Sequence, residues 1–332
     1  MGTTEHSVDR AGSSSPRPTT ADDRDPIAQA RVAVIVSTIG RPDLLDRLMA
    51  SISEQTLLPS EVIVVDQSSD RRTRAVVDKW RARIPVRRLS SIRGVSLGLN
   101  VGIAALGDYD FLNIACDDTR YAPDALTRAA ETFSVDDSVG VVSGRLLGVP
   151  GRPAQLRSFG HRSMLLDHRS VWTNAIEATC FYRADFIRDV GAFDEELGPG
   201  AASPWQSGEG TDMLLRGLKA GWPIAYNPQI IVYEDNPHDT GPEDRACRVK
   251  ARRSARGTGR VFRRHHGLPL QARILIRPLG AVLLSAACNR WALAGWHLQR
   301  FIGRMEGLTG RVLPGPRQRI AQNADRCTTS PD

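Results

Sequence analysis

From residue 31 onward the chain alternates short apolar runs with longer stretches in which apolar side chains recur every three or four positions. Val32 to Val36 (VAVIV) is an unbroken β-branched run, the pattern of a strand buried on both faces. Pro42 then suits a first helical turn, and Leu45, Leu48, Met49 and Ile52 fall on one face of the helix it opens. Glu61–Val65 (EVIVV) predicts a second strand, followed by a helix over Thr73–Arg83, a strand over Val86–Leu89, a helix over Leu97–Leu106 and a strand over Tyr109–Ala115. This βαβαβαβ order is the sequence form of an α/β domain on a mostly parallel sheet. Pro123 opens another helix through Phe133, and Val139–Ser143 (VGVVS) is the next strand. Residues 144–175, punctuated by Gly144, Gly148, Pro150, Gly151 and Pro153, read as loop, Glu177–Arg183 as strand, and a helix starts at Ala184. A further helix is expected over Glu209–Ala220 with Gly221 as its C-terminal cap, and strand-like composition returns through Val232.

The last third differs in kind. Residues 243–265 are basic and helix-compatible, and 274–305 read as an apolar-aromatic helix interrupted at Pro278. Residues 245–319 carry 17 Lys/Arg and a single acid, Glu306, whereas the whole chain has a formal charge of only +7, so the rest is net acidic. Such an end seeks anions: nucleic acid, anionic lipid or phosphorylated substrates. Nucleic acid is not expected, because the basic stretch has no finger, RNA-binding or base-stacking signature. The longest apolar run, residues 279–288, is far shorter than the roughly 20 residues that span a bilayer, so no transmembrane helix is expected. Trp291, Trp296, His297 and Phe301 interleave with Arg290, Arg300 and Arg304, the composition of a helix lying in a membrane interface with its arginines toward lipid phosphates. A helix packed on the rest of the protein with a solvated basic face would show the same composition.

Length and composition bound the rest. The 332 residues, 41% hydrophobic and 24% charged, suit a globular protein with a sizeable core. Cysteines stand at 116, 180, 247, 288 and 327, an odd number with no close pair, which predicts no disulfide framework or zinc ribbon and points to reducing cytosol. Residues 1–30 are polar, lack the apolar core of a secretory signal and read as a disordered tail, as do residues 316–332.

Strands of a parallel sheet deliver functional residues at their carboxyl ends. Ser37, Thr38 and Arg41 follow the first strand, Asp66, Gln67, Ser68 and Ser69 the second, and Cys116, Asp117, Asp118 and Thr119 the strand ending at Ala115. Turn chemistry explains any one of these polar exits, but three together point to a site. Asp117 and Asp118 repel each other and need a cation or donors to remain ionised side by side. Mg²⁺ or Mn²⁺ fits, since a short acidic pair suffices when a diphosphate ligand brings oxygens of its own. A nucleotidyltransferase would need a Gly-rich loop where the chain has STIGRP, and Gly94, Gly98 and Gly102 do not form a dinucleotide-binding G-x-G-x-x-G.

Six segments in order resemble the family 2 glycosyltransferases: VAVIVSTIGRPDLLDRLMASISEQ, EVIVVDQSSD, GVSLGLNVGI, FLNIACDDTRYAPDAL, VGAFDEEL and SGEGTDMLLRGLKAGW. The resemblance covers roughly residues 31–240 and implies a GT-A type, Rossmann-like α/β/α sandwich on a mixed, mostly parallel sheet, with residues 241–315 as a basic helical extension. It implies an inverting enzyme that moves a sugar from a nucleotide-diphosphate sugar to a hydroxyl. Thr38, Arg41 and Asp66 would line the nucleoside pocket with Gln67, Gly94 and Asn100, and Asp117 would sit near the ribose. Asp118 would ligate the cation. Gln67 replaces a frequent second Asp, Leu99 a common Arg, and Cys116 the first acid of the Asp-x-Asp triplet. Relatives often place the catalytic base at the position of Gly210, which leaves Glu209 first and Asp212 second as base; helix-dipole compensation would also explain both. The family commonly adds a His ligand after the strand corresponding to Ile230–Tyr233, where this chain has Glu234 and, four residues on, His238. A glycan or polyprenyl-linked acceptor in cell-surface glycan synthesis would place the protein in the cytoplasm, with peripheral contact at the inner face of an anionic membrane. The other reading is an inactive GT-A-like module that binds anionic membrane or another polyanion.

Overall fold

The computed structural model describes residues 27–148, 159–235 and 241–314. Nine strands form one sheet: β1 (Val32–Thr38), β2 (Glu61–Asp66), β3 (Val86–Ser90), β4 (Phe111–Ala115), β5 (Thr119–Tyr121), β6 (Val141–Gly148), β7 (Met164–Leu165), β8 (Cys180–Arg183) and β9 (Ile224–Glu234). Their order is β3-β2-β1-β4-β8-β6-β9-β5, with β7 added against β9. The β3-β2-β1-β4 half is parallel throughout. β8 enters antiparallel between β4 and β6, and β6 runs parallel to β9. Val32 to Val36 are at most 1% exposed, so both faces of the central strand are covered, as an unbroken β-branched run requires.

The covering helices are α1 (Pro42–Ser53), α2 (Arg72–Trp80), α3 (Val95–Ala105), α4 (Ala125–Val135), α5 (Val171–Asn174), α6 (Ala184–Val190) and α7 (Glu209–Lys219). α1 begins at its proline and buries Leu45, Leu48, Met49 and Ile52. The mixed sheet with its helices and C-terminal helical region is the expected fold class. Differences lie in the second half. β6 runs through Gly148 rather than stopping at Ser143, and its register against β9 shifts between Ser143 and Arg145. β5 and β7 are too short to carry a period of their own. Residues Glu177–Thr179 are a 3-10 turn, and only Cys180–Arg183 is strand. Buried Asn113 on β4 fixes this turn: its Nδ2 donates to the Cys180 carbonyl, and the Tyr121 hydroxyl lies 2.7 Å from its Oδ1 and 3.0 Å from the Ala178 carbonyl.

Three further helices follow, α8 (Arg245–His265), α9 (Leu268–Ala287) and α10 (Trp291–Thr309). α8 and α10 pack backbone to backbone; a Cβ at Gly303 would lie 2.3 Å from the Arg252 carbonyl oxygen. Glu306, 1% exposed, accepts from Arg252 and Arg256 and clamps the two helices. The expected interruption at Pro278 does not occur. Pro278 sits inside α9, and the Ile274 carbonyl four residues earlier, which a proline cannot engage, accepts from Arg304 Nη1 at 2.5 Å. The break comes at Asn289, whose φ of 57° ends the helix in the left-handed region.

Two membrane expectations change. α9 has 20 residues with a mean hydropathy of 1.3 over its apolar window, enough in length and composition to cross a membrane, so the short run at 279–288 does not exclude it. Nor do Arg300 and Arg304 face outward: Arg300 lies over the Trp296 ring at 4.6 Å, and Arg304 bonds α9.

Candidate active site

The parallel register sets Thr38 beside Asp66 and Val36 beside Ala115, so three polar strand exits open side by side. Thr38 Oγ1 donates to Asp117 Oδ2 at 2.7 Å. Arg41, held at the start of α1, donates through Nη1 to Asp117 Oδ1 at 3.0 Å and reaches Asp118 Oδ2 at 3.3 Å. Burial pushes the Asp117 carboxyl up, and the Thr38 bond and Arg41 charge only partly offset it. Asp118 keeps 27% of its side chain exposed. Its carbonyl accepts from the Asp235 N–H, and Asp235 is itself paired with Arg47 and Arg120.

Asp66 is 2% exposed; its Oδ1 accepts from the Ser68 N–H at 2.9 Å and its Oδ2 from Arg88 at 3.0 Å. Two expected pocket residues spend their polar atoms within the protein. Gln67 brackets Gly94, donating to its carbonyl at 2.8 Å and accepting from its N–H at 3.1 Å, and also donates to Ser91. Gly94 takes φ 139° as it caps α3, so Gln67 shapes the pocket wall through this turn. Asn100 bonds both backbone groups of Phe193 and donates to Glu195. It ties α3 to the segment that leads to α7.

The two acids of α7 stand in different surroundings. Asp212 is 2% exposed and fully engaged: Oδ2 accepts from Arg216 at 2.9 Å, and Oδ1 lies 2.8 Å from His265 Nε2 on α8. Burial pushes its carboxyl up, but the His265 and Arg216 bonds outweigh burial and hold it low. A carboxylate so occupied ties α7 to α8, and its geometry does not suit a base. Glu209, at the first turn, has an Oε2 that is sealed from solvent without a hydrogen-bond partner.

A third acid, Glu177, joins them. A Cβ at Gly210 would lie 3.2 Å from both Cβ and Oε2 of Glu177, and burial pushes the Glu177 and Glu209 carboxyls up, Glu177 further by the charge of Glu209. Cys116, at the exit of β4, lies among Glu177, Asp118, Asp117 and Glu209; burial first, and then these charges, hold its thiol neutral. The charges of the acidic loop and of Glu177 and Glu209 thus all act on one thiol at the exit of β4. The sequence carried one signal for Glu177, an acid inside a run (AIEATCFYR) otherwise patterned as strand.

Among the described residues no group of three or more His, Cys, Asp or Glu is assembled to hold a metal. Asp118, partly exposed and with its carboxylate bonded among the described residues by Arg41 across 3.3 Å, fits as the single protein carboxylate of a cation whose other ligands are phosphate and water oxygens. His238 lies outside the described residues.

The family model described as Glycosyl transferase family 2 matches residues 33–181. Protein CgeD of Bacillus subtilis (strain 168) is 30% identical over 114 residues, 31% of this chain and 26% of CgeD. The uncharacterized glycosyltransferase YwdF of the same organism is 23% identical over 171 residues, 50% of this chain and 63% of YwdF. The chain therefore spans only part of the length of these relatives. Among solved structures, S. aureus TarS 1-349 in complex with UDP-GlcNAc has a TM-score of 0.52 at 18% identity, covering 86% of this chain and 93% of that one. The mannosyltransferase PcManGT from Pyrobaculum calidifontis, in complex with GDP-Man and Mn²⁺, has a TM-score of 0.52 at 18% identity, covering 91% of this chain and 81% of that one. Strand order and family match agree: residues 33–181 match the family 2 glycosyltransferase model and lie within a GT-A type fold.

Proposed function

We propose that the protein is an inverting, cation-assisted glycosyltransferase that moves a sugar from a nucleoside-diphosphate donor to a hydroxyl acceptor. The observation that carries this reading is the convergence of Thr38, Arg41, Asp117 and Asp118 at adjacent parallel strand exits. Asp66 and the turn braced by Gln67 and Gly94 would bound the nucleoside side, with Asp117 at the ribose. Asp118 would hold Mg²⁺ or Mn²⁺, which offsets the charge that builds on a departing diphosphate. Arg41, a permanent cation between the two aspartates, orients them before any donor arrives. Glu209 is the candidate base of the α7 pair of acids, since Asp212 is consumed by Arg216 and His265.

The relatives support the donor class. The TarS complex holds UDP-GlcNAc and the PcManGT complex GDP-Man, both nucleotide-diphosphate sugars with different bases. For the acceptor, the exposed apolar side of α9 among arginines favours a glycan carried on a polyprenyl lipid, reached by a cytoplasmic protein resting on the inner face of an anionic membrane.

A thermal-shift panel of UDP, GDP, TDP and CDP, each with and without Mn²⁺, tests the reading on wild type and Asp118→Ala. Stabilisation by one nucleotide that needs both Mn²⁺ and Asp118 is expected, about 2.7 kcal/mol at a nucleotide concentration 100 times Kd. No shift with any nucleotide would instead favour an inactive module that binds anionic membrane or another polyanion.

A further inference from the structure

We infer that Arg277, Arg300 and Arg304, where α9 and α10 run side by side, form a site for the phosphate of an anionic lipid headgroup. This rests on the membrane contact in the reading above, not on the transfer chemistry, and names the residues that would hold the lipid.

Three observations carry it. The first is register. Arg304 Nη1 on α10 donates to the Ile274 carbonyl on α9 at 2.5 Å, and both residues stand 15 positions from Asn289, where the chain bends. The two helices therefore form an antiparallel hairpin, and one turn toward the bend brings Arg277 on α9 opposite Arg300 on α10. Second, the cluster has no counter-charge. No Asp or Glu occurs from Arg245 through Met305, and Glu306, the next residue, is spent on Arg252 and Arg256 of α8. Among the described residues none of the three arginines forms an ion pair with an acid. Arg300 lies over the Trp296 ring at 4.6 Å, and the Nε of Arg304 is sealed without a hydrogen-bond partner. Both are half-buried, so water screens their repulsion only in part. Burial first, and then the charges of Arg300 and Arg277, bring Arg304 down to about 10, still a cation at neutral pH. Third, apolar side chains continue the face toward the bend. Leu283 and Leu284, both exposed, lie six and seven residues nearer the bend than Arg277, about 10 Å along the helix. That distance is comparable to the depth of an interfacial helix, so leucines in the acyl boundary put Arg277 and Arg300 level with phosphate.

Phosphate suits this cluster better than a carboxylate does. Guanidinium forks bind phosphate oxygens in pairs, and forks from two helices can converge on one tetrahedral anion, whereas a carboxylate offers two oxygens in a single plane. A bound phosphate relieves the repulsion among the arginines and brings the leucines to the acyl zone in the same act. The apolar face and the arginine cluster then recognise two parts of one molecule, its chain and its headgroup. Soluble phosphate would satisfy the arginines alone.

Co-sedimentation of the full chain with phosphatidylglycerol vesicles tests the site. Arg277→Gln together with Arg300→Gln should weaken binding by more than about tenfold, whereas a charge-matched control on exposed positions of α8, Lys250→Gln with Arg253→Gln, should weaken it by less than about threefold. Arg304 is left in place because it holds the Ile274 carbonyl. Equal losses in the two pairs would mean diffuse attraction between a basic protein and an anionic surface and would overturn the site. Arg300→Lys keeps the charge and removes the fork, so it should bind about threefold more weakly; full affinity there overturns the site as well. Because the paired substitution relieves like-charge repulsion, Tm at low salt should not fall, and a Tm well below wild type would make the two arginines structural instead. Inorganic phosphate separates the sources. Replacing chloride by phosphate at equal ionic strength should shift the Tm of wild type and of the paired variant alike; a rise confined to wild type, with vesicle binding the same in both, would assign the arginines to soluble phosphate and overturn the lipid site. If wild type binds no vesicles, the membrane contact fails together with the site. If wild type and the paired variant bind equally, the contact stands and the site alone falls.

Discussion

Thr38 acts on Asp117 from the far end of a parallel strand, and its effect can be weighed. Asp117 is 7% exposed and receives Thr38 Oγ1 at 2.7 Å and Arg41 Nη1 at 3.0 Å. Thr38→Val keeps the shape and removes one donor, leaving a buried acceptor short of a bond, a change that costs about 1–3 kcal/mol. The pH dependence has a definite sign. Burial holds the Asp117 carboxyl above its unfolded value, so its contribution to stability is fully present below the unfolded pKa and is lost as pH rises through the folded one. Thr38→Val should therefore cost more at neutral pH, where Asp117 ionises, than near pH 4, which urea unfolding at the two pH values would measure. At this scale much of the site was legible. Thr38, Arg41, Asp117 and Asp118 follow apolar strands, and parallel pairing alone brings such exits together. Gln67 and Asn100 stood in the right segments, yet nothing in a sequence says whether an amide turns toward a ligand or toward Gly94 and Phe193. Glu177 was illegible as a partner of Gly210, because their contact depends on β8 entering the sheet between β4 and β6.

The junction of α7 and α8 shows what single elements could not reveal. Asp212 reads as a helix-start acid from its position, but its partner His265 lies 53 residues away on a helix whose place on the domain no local pattern encodes. The junction is built from both sides: Arg216 closes the ring from α7, Ser207 donates to the Ser254 carbonyl, and Phe262 stacks on Trp172 at 4.2 Å. Since Glu209 follows Ser207 by two residues, α8 also fixes where α7 begins. Asp212→Asn should destabilise the protein by about 3 kcal/mol, as expected when one partner of a buried ion pair is removed. The depressed carboxyl adds a second expectation. Its contribution is present above the unfolded pKa and lost as pH falls through the folded one, so the gap between wild type and Asp212→Asn should close in acid, as Tm against pH would record. Long elements with a clear period, β1, α1, β2 and α7, were read well. β5 and β7, of three and two residues, lack a period, and α9 runs through its proline with the stranded Ile274 carbonyl met by Arg304 from a distant helix.

At the scale of the whole molecule, α9 and the exposed arginines beside it form one surface. Along α9 and into α10, Leu268 is 78% exposed, Ile276 66%, Leu283 65%, Leu284 71% and Trp291 68%, while within α9 only Pro278 and Ser285 are buried. Arg273, Arg277 and Arg290 are exposed among them, and no Asp or Glu occurs from Arg245 through Met305. An apolar stripe rimmed by arginines and free of acids complements the headgroup zone of an anionic bilayer, with the leucines in the acyl boundary and the arginines at phosphate. Each fully buried leucine contributes about 1.5–3 kcal/mol, so Leu283→Asp together with Leu284→Asp should weaken binding to phosphatidylglycerol vesicles by more than tenfold while leaving Tm unchanged, because neither side chain packs on the protein. Co-sedimentation measures the loss, and the Trp291 fluorescence of the wild type should shift to the blue on adding vesicles. Salt separates the contributions: it should weaken the arginine attraction yet leave the leucine-dependent part, whereas a purely electrostatic contact would vanish. If the same substitutions instead dissolve a dimer seen without lipid, the face covers a second copy of the chain, and the route to a lipid-linked acceptor loses its anchor.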